Sequence, residues 1–145
     1  MKTALIALAA LAVAGSANAY HFTPAGKYQP SGRLAFYGPA PHASCFGQWF
    51  VTVNAKGDAR ITGASFPTCP TVSLSGLPWE LRAISPTRAR IVNPTFVFGA
   101  TTLGPQNVHL RVFGGDDYDF QPPARYSNGY RALGFFVLTG VTIVP

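Results

Sequence analysis

The stretch that decides the fold is CFGQWFVTVNAKGDARITGASFPTCPTVSLSGLPWEL, residues 45–81. Its segment WFVTV, residues 49–53, alternates aromatic and β-branched side chains, as a half-buried strand does. Residues 54–57, NAKG, follow as a turn, and residues 58–62, DARIT, are typical of a return strand. The sequence therefore predicts a β-hairpin centred on this turn.

The register of this hairpin also predicts a disulfide. Pairing across the turn sets Cys45 opposite about Pro67, so Cys69 lies within two residues of its ideal partner position. The bend at Pro67 can absorb that slip. The two cysteines of an exported chain form a bridge far more readily than a metal site or a nucleophile. We therefore predict a disulfide between Cys45 and Cys69, which stabilises by roughly 3 to 4 kcal/mol in the chain-entropy model.

The N-terminus has the pattern of a cleavable export signal. A basic start (Met1-Lys2-Thr3) precedes an alanine-rich apolar run, and Ala17-Asn18-Ala19 matches an A-x-A cleavage site. The apolar run is too short for a membrane span. We expect residues 1–19 to be a signal peptide and residues 20–145 to be one β-sandwich domain with no transmembrane segment. The expected location is the periplasm, the exterior or the cell surface of a bacterium.

Residues 20–145 carry no helical period that lasts three turns. Most of the chain's 13 prolines and 15 glycines divide this region into short alternating runs. Outer-membrane barrels need longer uninterrupted segments, so a sandwich is preferred to a barrel. The pattern predicts an all-β fold, a single β-sandwich or jelly-roll-like module. The candidate strands are residues 20–23, 32–37, 47–54, 59–66, 71–74, 79–84, 89–92, 95–99, 107–113 and 133–144.

The composition suits a protein that adheres or assembles. Charged residues make up only 11% of the chain and aromatic residues 13%, with a formal net charge of +6. The basic residues are dispersed, and Arg82, Arg88 and Arg90 are the nearest approach to a patch. Such a balance permits weak attraction to lipopolysaccharide, acidic polysaccharide or extracellular DNA, although a solvated surface is the commoner explanation. No specific nucleic-acid partner is expected.

No catalytic arrangement is found, so we expect a protein that is not an enzyme and has no cofactor. The three histidines lack metal-ligand spacing, and there is no G-x-S-x-G motif. Asp116, Asp117 and Asp119 follow a double glycine and form a weak calcium candidate. Their spacing matches no EF-hand, and a solvated acidic turn is the commoner explanation.

Four aromatic residues are candidates for a binding surface. Trp79 follows Gly76-Leu77-Pro78, and residues 114–128 form the longest break in the strand pattern. That segment carries Tyr118, Phe120 and Tyr126, and long aromatic loops are often functional. Packing is the commoner explanation of these residues, because a lone Trp is more often a core anchor and an Ω-loop packs on its own aromatics.

The two ends of the predicted domain are apolar. Buried terminal strands explain this in most proteins, but an exposed one offers an edge for strand addition to a neighbour. The candidate interaction residues are Tyr20, His21, Phe22 and Thr23 at one end and Val141, Thr142, Ile143 and Val144 at the other.

Several short motifs occur in a recognisable order. They are Phe22-Thr23-Pro24-x-Gly26, Cys45 before a strand, Gly57-x-Ala59-x-Ile61-Thr62, Cys69, Gly76-Leu77-Pro78-Trp79 and Ala89-x-Ile91-Val92-Asn93. This order resembles the alkane oxidation protein activator (PraB-type) family of small exported bacterial proteins, from about Phe22 to Val112. The resemblance implies a secreted, non-catalytic β-protein associated with growth on alkanes and with the cell surface or biofilm. It supplies no catalytic residue, and the third cysteine frequent in the family near residues 104–107 is missing here.

Two functions remain open from the sequence. The leading hypothesis is a non-enzymatic cell-surface or matrix protein that acts by adhesion or self-association through strand addition, with itself or a surface polymer as partner. The alternative is a soluble binder of hydrophobic ligands such as alkanes or acyl chains, which requires a cavity lined by apolar side chains. Apolar residues meant for a cavity and for an interface look the same in sequence.

Overall fold

The computed structural model describes residues 20–39 and 42–145, and every regular element within them is a β-strand. The expected signal peptide, residues 1–19, lies outside the described residues. The strands are β1 (His21–Thr23), β2 (Gly26–Tyr28), β3 (Ser31–Tyr37), β4 (Ala43–Val53), β5 (Ala59–Ser65), β6 (Val72–Ser75), β7 (Trp79–Ser85), β8 (Arg88–Ile91), β9 (Thr95–Phe98), β10 (Thr101–Leu103), β11 (Val108–Phe113), β12 (Asp117–Phe120), β13 (Ala124–Arg125), β14 (Arg131–Val137) and β15 (Thr142–Val144).

Eight of these strands form a closed antiparallel barrel. Their order around the wall is β12-β11-β8-β7-β5-β4-β3-β14, and β14 pairs with β12 to close the ring. The all-β prediction is confirmed, but the sandwich or jelly-roll is wrong. Alternating strands suit either architecture, and the difference is the single pairing between β12 and β14, which is not local in sequence.

Apolar side chains fill the barrel. Along β11 the burial alternates strictly, with Val108, Leu110 and Val112 inside, and the other wall strands follow similar patterns. Three fully buried rings occupy the middle: Tyr118 stacks on Phe136 with centroids 5.2 Å apart, and Trp49 lies 5.6 Å from Phe136. An eight-stranded barrel is just wide enough for its side chains to fill.

Two small sheets cover the opposite ends of the barrel. At the end where β7 begins, the sheet β6-β9-β10 places Phe96 5.3 Å from Trp79 and 5.6 Å from Phe36. At the other end, β1 pairs with β15, and Phe22 lies 6.4 Å from Tyr118. These sheets extend the core beyond the wall strands, which is why strands outside the ring carry fully buried residues.

The hairpin and the disulfide that the sequence predicts are both present. The Asn54 N–H donates to the Asp58 carbonyl at 3.0 Å, and the Gly57 N–H donates to the Asn54 carbonyl at 3.0 Å. Cys45 and Cys69 are bonded, with their Cα atoms 5.5 Å apart. Part of the slip needed for this bond comes from a β-bulge between β4 and β5, where the register shifts at Phe50/Val51.

The segment 114–128 is not the loop that the sequence suggests. Its first part contains β12, which closes the barrel between β11 and β14. Tyr118 and Phe120 point inward while Asp117 and Asp119 are partly exposed, so the segment has a strand's alternation. The alternation lasts only four residues between Gly114-Gly115 and Pro122-Pro123, and those breakers make it resemble a loop.

One wall strand continues beyond its neighbour. β2 and β3 pair with β4 in one unbroken register, from Gly26 opposite Val53 to Phe36 opposite Ala43. On the side of β3 that faces away from β4, the pairing with β14 extends only as far as Gly32, which lies opposite Phe136. The β2 half of this long strand is therefore hydrogen-bonded to a neighbouring strand on one side only, within the part of the chain that the structure describes.

Candidate functional site

The terminal segments pair with each other. His21, Phe22 and Thr23 lie opposite Val144, Ile143 and Thr142, and Val141 is buried just before β15. The outer edge of β1 is also used, because the Phe22 N–H donates to the Gly57 carbonyl at 3.0 Å. Of the candidate interaction strands, β1 is thus bonded on both sides.

The outer edge of β15 is short. Since the Phe22 N–H points away from β15, Phe22 and Ile143 form a pair that exchanges no hydrogen bonds, and the Ile143 peptide groups also face outward. Pro145, which has no N–H, follows directly. This edge offers one complete donor and acceptor pair to a partner strand.

The edge of β2 is the more open one. The Trp49 N–H donates to the Pro30 carbonyl at 2.9 Å, so Pro30 faces β4. Backbone groups alternate in direction along an antiparallel strand, and Lys27 therefore directs its N–H and carbonyl away from β4. Lys27 and Gln29 are both exposed. Beside them lies an open groove of about 410 Å³ between residues 28–31 and 137–139.

Local sequence explains why β2 is a short strand separate from β3. Pro30 faces β4 but has no N–H to donate to it, so the ladder along β4 is interrupted at that position. Tyr28 folds back and donates its hydroxyl proton to the Pro24 carbonyl at 2.7 Å, with its ring close to Gly26. Sequence reasoning missed β2 because its three residues are bounded by prolines, and the only local signal was the Pro30 interruption.

Three of the four aromatic candidates belong to the core. Trp79 is 3% exposed and donates its Nε1 proton to the Ser75 carbonyl at 2.8 Å, while Tyr118 and Phe120 are 0% and 2% exposed. They are therefore not a binding surface, and the packing explanation accounts for them. Tyr126 is partly buried, and burial raises the pKa of its hydroxyl to about 12.

The acidic candidates do not converge on a metal site. Asp116 lies in the turn before β12, and Asp117 and Asp119 lie on the strand itself. Burial, and then the nearby Asp117 carboxylate, raises the pKa of Asp119. Within residues 20–39 and 42–145, no group of three or more His, Cys, Asp or Glu side chains is placed to hold a metal ion.

The interior gives no support to a binder of hydrophobic ligands. The side chains that such a cavity would use, including Trp49, Tyr118 and Phe136, contact one another at ring distances of 5.2 to 5.6 Å. Rings at these distances pack against each other and fill the space between them. Among the described residues, no helix is both long and apolar enough to cross a membrane.

Comparison with known proteins identifies the family. A family model described as alkane oxidation protein activator PraA/PraB-like matches residues 1–118, which include every wall strand except β14 and the last part of β12. Neither a curated protein nor a solved structure matches the chain. The chain belongs to the alkane oxidation protein activator PraA/PraB-like family.

Proposed function

We propose that this chain is an exported, non-enzymatic protein of the cell surface or extracellular matrix, which acts by self-association through β-strand addition. The family name links it to activation of alkane oxidation. A surface or biofilm role during growth on alkanes is compatible with that link. The observation that carries the proposal is the unpaired edge of β2 beside an open groove.

The acceptor in this proposal is β2. A strand that enters the groove beside Gln29 would extend the sheet along Lys27 and Gln29, whose N–H and carbonyl groups point away from β4. Most other wall strands have a bonded neighbour on both sides, since barrel closure removes edges. The wall can therefore accept a further strand beside β2, beyond the point where β14 stops pairing with β3. Few other positions around the ring have an unpaired edge.

The donor in this proposal is β15 of a second copy. Its outer edge carries the Ile143 peptide groups, whereas both edges of β1 are bonded. Because donor and acceptor are different strands, the contact is heterologous, and repeated contacts of this kind build open chains of molecules rather than closed dimers. Both edges are short, so we expect assembly to depend steeply on concentration.

Light scattering of the mature protein over a concentration series tests this function. The variant Lys27→Pro removes the outward N–H of β2 but keeps the bonds to β4, which come from its neighbours. The matched control Lys27→Ala removes the same charge and keeps the N–H. We expect growing assemblies for the parent chain and for Lys27→Ala, and monomers for Lys27→Pro.

Two results would contradict the proposal. A parent chain that stays monomeric at every concentration would exclude self-association. Assembly of Lys27→Pro to the same extent as the parent would exclude β2 as the acceptor, provided that circular dichroism shows both proteins folded.

A further inference from the structure

One outer face of the barrel carries a grid of basic side chains. The register places Arg82, Arg90 and His109 side by side on β7, β8 and β11, and it pairs Arg88 with Arg111 in the next row. Neighbouring strands lie about 4.8 Å apart, and residues two positions apart along a strand lie about 6.7 Å apart. We call these five residues the arginine face. The sequence pointed to Arg82, Arg88 and Arg90, but His109 and Arg111 join them only through the pairing of β11 with β8.

Three of the four arginines, Arg88, Arg90 and Arg111, form no ion pair within the described residues. Arg82 is the exception, because its Nε and Nη2 donate to the two Glu80 carboxylate oxygens at 2.9 and 3.0 Å. Arg111 lies over the ring of Phe113, at 5.1 Å. Asp119 is opposite Arg111 in the register, but the two side chains form no ion pair.

Arg90 gives a second, independent indication. Its Nε is buried and has no hydrogen-bond partner in the described part of the chain. A buried donor without a partner is costly, and a charged one more so. Arg90 itself is partly exposed, so an anion bound near this row would offset part of the cost by attracting its charge.

The arginine face borders a groove on the surface of the barrel. This groove has a volume of about 770 Å³ and is open to solvent. Arg88, Arg90, His109 and Arg111 line it, together with the apolar side chains of Ile84, Pro122 and Pro123. The groove thus combines three guanidinium groups and an imidazole with apolar walls.

We propose that this groove binds a linear acidic polysaccharide that carries carboxylates at regular intervals. Guanidinium groups bind carboxylates in a two-pronged geometry, and a repeated charge along a polymer suits a grid of unpaired arginines. The apolar walls can contact the C–H faces of sugar rings. Single-stranded nucleic acid is disfavoured because such sites stack bases on aromatic side chains, and no Phe, Tyr or Trp lines this groove.

This inference gives chemical content to the proposed surface role, on which it rests, but it does not require self-association. The two are tested separately, since Lys27→Pro removes the outward N–H of β2 and leaves the arginine face intact. The monomeric variant Lys27→Pro is therefore expected to bind the polymer through each single site.

Binding of polygalacturonate to the mature protein, measured by calorimetry at low and physiological salt, tests the inference. We expect binding by the parent chain and a loss of roughly tenfold in affinity for the double variant R88Q/R111Q, as for two screened charge contacts. The matched control K56Q/R131Q removes two exposed positive charges, in the turn before β5 and on β14, and should change affinity less than about twofold. The variant R88K/R111K keeps the charge but not the two-pronged geometry, and its loss should be intermediate.

Three results would overturn the inference. The first is no binding of polygalacturonate by the folded parent chain. The second is an equal loss in R88Q/R111Q and K56Q/R131Q, which would indicate attraction by net charge alone. The third is tighter binding of duplex DNA or of vesicles rich in anionic phospholipid than of polygalacturonate, which would assign the face to phosphate. The four substituted residues, Lys56, Arg88, Arg111 and Arg131, are all exposed, so the variants should fold.

Discussion

Replacing Tyr118 with Phe should stabilise the protein. Tyr118 is 0% exposed, and its hydroxyl has no hydrogen-bond partner in the described part of the chain. A buried hydroxyl without a partner costs roughly 1 to 3 kcal/mol. The Phe variant keeps the ring that stacks on Phe136 at 5.2 Å and an interplanar angle of 6°. We expect a gain of about 1 kcal/mol at pH 7, or about 3 to 5 °C in Tm for a domain of this size.

The gain should increase in alkaline solution. Burial, and then the charge of Asp116, raises the pKa of Tyr118 well above 10. In the unfolded chain the pKa is about 10, so the phenolate forms first in the unfolded state. The stability that depends on the neutral hydroxyl is fully present below pH 10 and is lost as the pH rises above it. Between pH 10 and pH 11 the parent should lose about 1 kcal/mol more than Tyr118→Phe.

Urea unfolding followed by tryptophan fluorescence measures both effects, at pH 7, 10 and 11. The other tyrosines are common to both proteins, so their ionisation cancels in the comparison. A variant that is less stable than the parent at pH 7 would refute the reasoning, because it would mean that the Tyr118 hydroxyl makes a hydrogen bond that stabilises the parent. A difference that does not change between pH 10 and pH 11 would refute the assigned burial of the ionising group.

Three further predictions concern stability. Replacing both Cys45 and Cys69 with Ser should lower the free energy of unfolding by about 3 kcal/mol. The bridged positions are 24 apart in sequence, and a bridge over a loop of this length restricts the unfolded chain by about that much. An unchanged urea midpoint under oxidising conditions would contradict this. Gly47→Ala should destabilise the protein by more than about 2 kcal/mol, since the added Cβ would overlap the backbone at the end of β5. Gly63→Ala should cost less, because its Cβ would meet only the edge of the Phe50 ring. Similar thermal midpoints for the two variants would contradict the contact at Gly47. Asp119→Asn should stabilise the protein by a few tenths of a kcal/mol at pH 7, after solvent screening, because burial and a neighbouring carboxylate raise the pKa of Asp119. The contribution of this carboxyl to stability is complete below its unfolded pKa and is lost as the pH rises, so the advantage of the Asn variant should vanish below about pH 4. An advantage that persists below about pH 4 would point to another cause.

The sequence predicted those parts of the fold that are encoded locally. The hairpin around residues 54–58 follows from its turn residues, and its register leads to the bond between Cys45 and Cys69. The ring closure did not follow, because it depends on Tyr118 stacking on Phe136, two residues that are far apart in sequence and separated by two prolines. An alternating strand does not indicate which neighbour it will take.

The candidate surfaces were predicted less well for the same reason. Trp79 and Phe120 look alike in sequence whether they are exposed or buried, and only the three-dimensional packing places them inside. The free edge of β2 depends on where β14 leaves β3, and the arginine face depends on the registers of three strands. These are consequences of pairing between distant segments, which composition and periodicity do not record.

The pairing of β1 with β15 has a consequence for the order of events during folding. His21 and Val144 are partners although almost the whole described chain lies between them, and β3 likewise waits for β14. During synthesis β1 cannot pair until β15 has been made, and β3 cannot take its second neighbour in the wall until β14 has been made. High contact order of this kind slows folding. The barrel should therefore close late, in a cooperative step that follows synthesis of β14.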